Sequence, residues 1–108
     1  MAKVERISNR IEQLEGEYRS NLIAALSECA KGRWGLFGHN EHLGNYWQTE
    51  KLDELRDLAD SINALRRRID EVPYPLHDEF EAARGGGDPH QVGEPKLAQR
   101  WLERLETY

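Results

Sequence analysis

Apolar residues recur at steps of three and four along the first third of the chain. This spacing places them on one face of a helix, whereas Glu5, Glu12 and Glu17 fall outside that face. The pattern predicts an amphipathic helix over residues 3–31, which a basic residue and a glycine end at Lys31-Gly32. Such a helix would be about 42 Å long at about 1.5 Å per residue. Its predicted buried stripe comprises Val4, Ile7, Ile11, Leu14, Tyr18, Leu22, Ala25, Leu26 and Cys29.

A second stripe with the same spacing predicts a helix over residues 49–72. Asn45 or Thr49 supplies the N-cap. Pro73 ends the helix, because the residue before a proline is disfavoured in the α region. The predicted buried face comprises Leu52, Leu55, Leu58, Ala59, Ile62, Leu65 and Ile69.

The last third of the chain predicts two shorter helices. One covers residues 75–84, with a proline in its first turn and three glycines after its end. Residues 85–93 are rich in glycine and proline and predict a flexible connector. A final helix covers residues 94–107, with an apolar face formed by Leu97, Trp101, Leu102 and Leu105.

No segment has the alternation of a strand, so the sequence predicts a single all-α domain over residues 1–108. Two long helices with a glycine-rich connection favour a long antiparallel helical hairpin, joined by the two shorter C-terminal helices. Two short helices could leave part of the first stripe uncovered, and a second hairpin would cover it. We therefore expect a dimeric helical bundle, with the homodimer favoured over the monomer.

Composition restricts the class of partner. The chain has 108 residues and a formal net charge of −5, with 38% hydrophobic and 32% charged residues. No apolar run approaches the roughly 20 residues of a membrane span, the N-terminus does not resemble a signal peptide, and a single cysteine suits a reducing compartment. The one basic run, residues 66–68, falls in the last turns of a helix, where cations favour the dipole. We expect a cytoplasmic protein that binds neither nucleic acid nor membranes.

The acidic and histidine residues give a weak signal for catalysis or metal binding. Asp53, Asp57 and Asp60 point away from the second stripe, as solvated carboxylates do. His39 and His42 have a spacing that a metal could use, but zinc needs at least three protein ligands, and His77 or Glu79 would have to supply the third. We therefore predict no catalytic residue, no metal ligand and no cofactor.

Residues 32–48 form a loop rich in glycine and aromatic residues, and its side chains admit two interpretations. The aromatic residues could close the end of the hairpin as a packed corner, or they could form a binding site with the polar residues between them. We predict a protein-interaction or regulatory module that uses this loop; an enzymatic role is not favoured. The alternative is a small metal- or metabolite-binding protein, or an enzyme, with a site at the loop histidines and nearby acids. The candidate binding residues are Trp34, Phe37, His39, Asn40, His42 and Trp47.

Overall fold

The described part of the chain folds as four helices. The computed structural model describes residues 2–31, 46–86 and 94–107. Helix α1 covers Ala2–Ala30, α2 covers Tyr46–Arg68, α3 covers Pro75–Gly86 and α4 covers Glu94–Thr107. These ranges contain no strand, so the predicted all-α class is confirmed.

The apolar stripe of α1 forms the centre of the core, as its spacing predicts. Val4 is the exception: 52% of it is exposed, so its predicted burial was wrong. The other positions are buried within a single chain, and a second copy is not needed to cover them. The buried members are Ile7, Ile11, Leu14, Tyr18, Leu22, Ala25, Leu26 and Cys29.

Helix α2 ends four residues before the predicted end at Val72. Asp70 adopts the left-handed conformation, with φ of 56°. The amide of Glu71 donates to the Arg66 carbonyl at 2.8 Å, and the amide of Asp70 donates to the Arg67 carbonyl at 3.3 Å. These bonds form a Schellman motif. The Schellman motif therefore ends α2 before the chain reaches Val72, the residue whose helical conformation Pro73 disfavours.

Two side-chain contacts define how α1 and α2 run relative to each other. The ammonium of Lys51, near the start of α2, bonds the Asn21 side chain at 2.8 Å. Arg66, near the end of α2, bonds Glu15 of α1 at 2.7 Å. The contacts occur in opposite order along the two helices, which is the arrangement of an antiparallel pair. The hairpin itself stays a prediction, because residues 32–45 lie outside the described ranges.

Helix α3 lies against the bundle through its side chains. Close backbone packing within the described ranges joins α1 to α2 and α1 to α4. Leu76 and Phe80 of α3 are fully buried, and the Phe80 ring meets Trp101 of α4 edge to face at 5.9 Å. Just before α3, the amide of Tyr74 donates to the Asn63 side chain at 2.8 Å. These contacts hold α3 against the other three helices.

Candidate functional site

The residues predicted to form the binding site lie mostly outside the described ranges. Trp34, Phe37, His39, Asn40 and His42 belong to residues 32–45. Trp47 lies in the first turn of α2, where the side chain is also not described. The site at residues 32–47 therefore stays a prediction. The flexible connector was predicted over residues 85–93, but α3 continues to Gly86, and residues 87–93 lie outside the described part.

The two residues suggested as a third metal ligand bind different neighbours. His77 contacts Tyr18 of α1, whereas Glu79 pairs with Arg104 of α4. Among the described residues, no group of three or more His, Cys, Asp or Glu side chains is arranged to hold a metal ion. His39 and His42 lie outside that part, so this finding leaves the loop histidines untested.

A surface groove lies between α1 and α2. Its volume is about 350 Å³. Residues at helical spacing on the flanks of the two helices form its walls, and Leu58 supplies an aliphatic surface against the core. Asp57 is exposed, as the direction of its side chain on α2 predicts. The lining residues are Glu17, Asn21, Glu54, Asp57, Leu58 and Ser61.

The charge of this α1–α2 groove is negative. Lys51 bonds both Asn21, at 2.8 Å, and Glu54, at 3.0 Å, so one of the three carboxylates has a cation beside it. Among the described residues, no cation forms an ion pair with Glu17 or Asp57. The groove therefore presents two carboxylates beside an aliphatic surface, an arrangement that suits a Lys or Arg side chain with its apolar stem.

A smaller groove of about 210 Å³ lies near the other end of α1, beside Arg66. Arg66 donates from Nε and Nη2 to Glu15 Oε1, at 3.1 and 2.7 Å. Its Nη1 donates to the Val72 carbonyl at 2.9 Å, and its guanidinium lies 5.4 Å from the Tyr74 ring centre. Arg66 therefore connects α1, α2 and the turn before α3.

The three arginines at residues 66–68 therefore differ in how exposed their side chains are. Arg67 and Arg68 are exposed, whereas the side chain of Arg66 is only 14% exposed. The sequence contained a signal for this difference, because position 66 follows Ile62 by four residues and precedes Ile69 by three. Arg66 thus lies on the edge of the apolar stripe and contributes to packing.

The second polar contact that the sequence did not predict joins α1 to α3. The Tyr18 hydroxyl lies 2.7 Å from Nδ1 of His77, and the two rings meet edge to face at 5.5 Å. The Tyr74 ring also meets Tyr18 edge to face, at 5.2 Å. Tyr18 is fully buried and His77 is half-buried.

Burial determines the protonation of this pair. Desolvation raises the pKa of Tyr18, and the neighbouring Tyr74, Glu81 and Asp78 raise it further. Desolvation also lowers the pKa of His77, against the carboxylates of Glu81 and Asp78, which raise it. Near neutral pH, Tyr18 is therefore a neutral phenol and His77 a neutral imidazole. Because the buried hydroxyl needs an acceptor, we assign its proton to the bond with Nδ1 and the ring proton to Nε2.

An ion pair on α3 lies near the same histidine. Burial raises the pKa of Glu81, but the hydrogen bond and charge of Arg56, with the charges of Arg84 and His77, lower it more, so its pKa lies below the usual value. Arg56 Nε donates to Glu81 Oε1 at 3.2 Å. The ionised carboxylate of Glu81 thereby connects α3 to α2.

Comparison of the chain with protein-family models, with curated proteins and with solved structures gives no match. None of the helices in the described part of the chain combines the length and apolar character that crossing a membrane requires.

Proposed function

We propose that the protein is a small interaction or regulatory module of the cytoplasm, which binds a partner protein at loop 32–47 and at the α1–α2 groove. The observation that supports this proposal is the groove itself, in which Glu17 and Asp57 flank Leu58. Binding of this kind requires charge and shape complementarity and no catalytic group.

The groove lies alongside residues 17–21 of α1 and 54–61 of α2, about the middle of each helix. Asn21 lies nine residues before the end of α1 at Ala30, and Glu54 lies eight residues after the start of α2 at Tyr46. These separations correspond to about 14 and 12 Å along the helices. A partner segment on the groove would extend toward the helix ends that residues 32–45 connect.

The chemistry of the groove favours a basic segment of the partner. A Lys or Arg side chain can lay its methylene groups on Leu58 and place its charge beside the carboxylates of Glu17 and Asp57. Each exposed ion pair contributes about 0.2–1 kcal/mol, so the pairs provide selectivity for a basic segment, and the loop aromatics are expected to provide apolar contact area.

A peptide titration tests the proposal. Fluorescence anisotropy compares a labelled peptide of lysines and leucines with the same peptide in which glutamate replaces lysine. We expect binding of the basic peptide alone, weakened as sodium chloride rises from about 0.05 to 0.3 M. The double variant Glu17→Gln/Asp57→Asn should weaken binding about four- to tenfold, if each pair contributes about 0.4–0.7 kcal/mol.

The matched control is the double variant Glu5→Gln/Asp53→Asn, which removes the same charge from exposed positions of α1 and α2 outside the groove. This control should bind the peptide as the wild type does. Equal weakening by both double variants would show that only net charge attracts the peptide, and it would contradict the assignment to the groove.

Two predictions from the sequence are tested by native mass spectrometry on protein purified without chelator. Self-association stays part of the proposal, and the spectrum gives the number of subunits. A bound metal or metabolite that is lost on mutation of His39 would favour the alternative function at the loop histidines. The metal alternative would be contradicted if the purified chain carries no bound metal and its mass does not increase after incubation with zinc.

A further inference from the structure

Helix α3 is attached to the other three helices by both apolar and polar side chains. Within the described ranges, close backbone packing joins α1 to α2 and α1 to α4, whereas α3 is held by the buried side chains of Leu76 and Phe80 and by a polar side-chain contact to each of the other helices. His77 bonds Tyr18 of α1, Glu81 bonds Arg56 of α2, and Glu79 bonds Arg104 of α4. Because α3 is a short helix of 12 residues, we expect it to open at a lower free energy than the two long helices.

Of these three attachments, the one to α1 contains a histidine. We propose that the Tyr18–His77 hydrogen bond is a pH-sensitive latch, in which protonation of His77 in mild acid loosens α3 from α1 and raises the population of molecules with α3 undocked. Tyr18 and His77 are called the α3 latch below. The proposal concerns regulation of the fold and is independent of the groove.

The latch uses His77 with an unprotonated Nδ1. The Tyr18 hydroxyl lies 2.7 Å from Nδ1, and because this hydroxyl is buried and needs an acceptor, we assign it as the donor of the bond. Protonation puts a hydrogen on Nδ1, and the hydroxyl must then accept the bond and turn its own proton elsewhere. Because Tyr18 is fully buried, water cannot readily satisfy that proton, and the docked state is disfavoured.

Some of the charged groups around His77 raise its pKa and others lower it. Asp78 and Glu81 on α3 and Asp60 on α2 favour the imidazolium, whereas Arg56 on α2 disfavours it. Glu81 is already paired with Arg56 at 3.2 Å and with Arg84 at 3.5 Å.

The groups on α4 and α1 add no further charge that would shift the pKa of His77. On α4, the charge of Arg104 is paired with Glu79, and on α1 the group that faces His77 is the neutral phenol of Tyr18. Burial is the largest influence on His77 and lowers its pKa.

The sign of the effect follows from this lowered pKa. Undocked or unfolded α3 exposes His77 to water, where its pKa is about 6.5. Between that value and the lower value of the docked state, the open form binds more protons than the closed form. Docking is therefore fully favoured above about pH 6.5 and weakens as the pH falls through this window.

Hydrogen exchange of the intact chain, followed by mass spectrometry and corrected for intrinsic rates, tests the latch. We expect protection of α3 amides to decrease between about pH 7.5 and pH 5.5, while protection of α2 amides stays level. In His77→Asn the side-chain oxygen takes the place of Nδ1 as acceptor and does not titrate, so α3 protection should be the same at both pH values. His90→Asn removes a different histidine and should keep the decrease.

Two results would overturn the latch. One is α3 protection that is equal at both pH values in the wild type, and the other is an equal decrease in His77→Asn. If His77→Asn does not fold, Tyr18→Phe replaces it: this variant lacks the hydroxyl, so α3 protection should be low already at the higher pH. An NMR titration in which His77 protonates at or above the usual histidine pKa would also contradict the proposal.

Discussion

Arg66 provides the most direct test of how α1, α2 and the turn before α3 are held together. Its guanidinium binds Glu15 through two nitrogens, at 3.1 and 2.7 Å, and the Val72 carbonyl through the third, at 2.9 Å. The side chains of Arg66 and Glu15 are 14% and 19% exposed, so solvent screens the pair incompletely. Substitution Arg66→Met keeps the apolar stem and removes these bonds.

The expected loss of stability follows from the groups involved. Hydrogen bonds to a charged group contribute about 1.5–3 kcal/mol, and the contact of the guanidinium with the Tyr74 ring adds about 0.5–1 kcal/mol. Arg66→Met should therefore lower the free energy of unfolding by about 2–4 kcal/mol. That is a large share of the roughly 5–15 kcal/mol that stabilises a domain.

Urea denaturation followed by tryptophan fluorescence measures the loss, and Arg67→Met is the matched control. Arg67 is the exposed neighbour in the same helix turn, and its substitution should change stability by less than about 0.5 kcal/mol. If residues 66 and 67 contributed only through the helix dipole, both variants would lose a similar amount, about 0.3–1 kcal/mol. Equal urea midpoints for the two variants would refute the structural role of Arg66.

A double-mutant cycle with Glu15→Gln isolates the ion pair. The coupling between Arg66→Met and Glu15→Gln should be about 1–2 kcal/mol, and it should persist in about 0.5 M sodium chloride because both groups are partly buried. Coupling below about 0.3 kcal/mol would assign the stabilisation to the Val72 and Tyr74 contacts.

Further predictions concern the helices and the pH dependence. Gly16 lies in the exposed interior of α1, where an added Cβ meets no atom within 4 Å. Gly16→Ala should raise stability by about 1 kcal/mol, roughly 4–8 °C in Tm. Ala24→Gly, at another exposed position of α1, should lower stability by a similar amount. A change in Tm in the same direction for both variants would contradict this prediction. Asp70→Gly should raise stability by about 0.5–1 kcal/mol, because it relieves the left-handed backbone and removes a carboxylate from the helix C-terminus. Asp70→Asn removes the charge alone and should give part of that gain in the same urea assay, whereas a destabilised glycine variant would contradict the Schellman geometry. Because the pKa of Glu81 is lowered in the folded state, the stability that its ion pair provides should be lost as the pH falls below the usual carboxylate pKa; Glu81→Gln should flatten the acid limb of a pH–stability profile, and an unchanged limb would refute this.

The sequence alone determined the helices and the direction of most side chains on them. Steps of three and four define a face whatever the helix packs against, so the burial of the α1 stripe from Ile7 to Cys29 and the exposure of Asp53, Asp57 and Asp60 could be predicted. Val4 differs because it lies in the first turn, beyond the part of the stripe that the other helices cover.

The end of α2 and the members of the candidate sites depended on the tertiary structure. No glycine marks the end of α2, and Asp70 adopts a conformation that the sequence pattern did not indicate. Tyr18 and His77 lie 59 positions apart, and Glu15 and Arg66 lie 51 apart. Helical spacing gives each of these side chains a face but gives no information on which distant residue meets it. The packing of the helices brings the partners together, and burial then determines their charge.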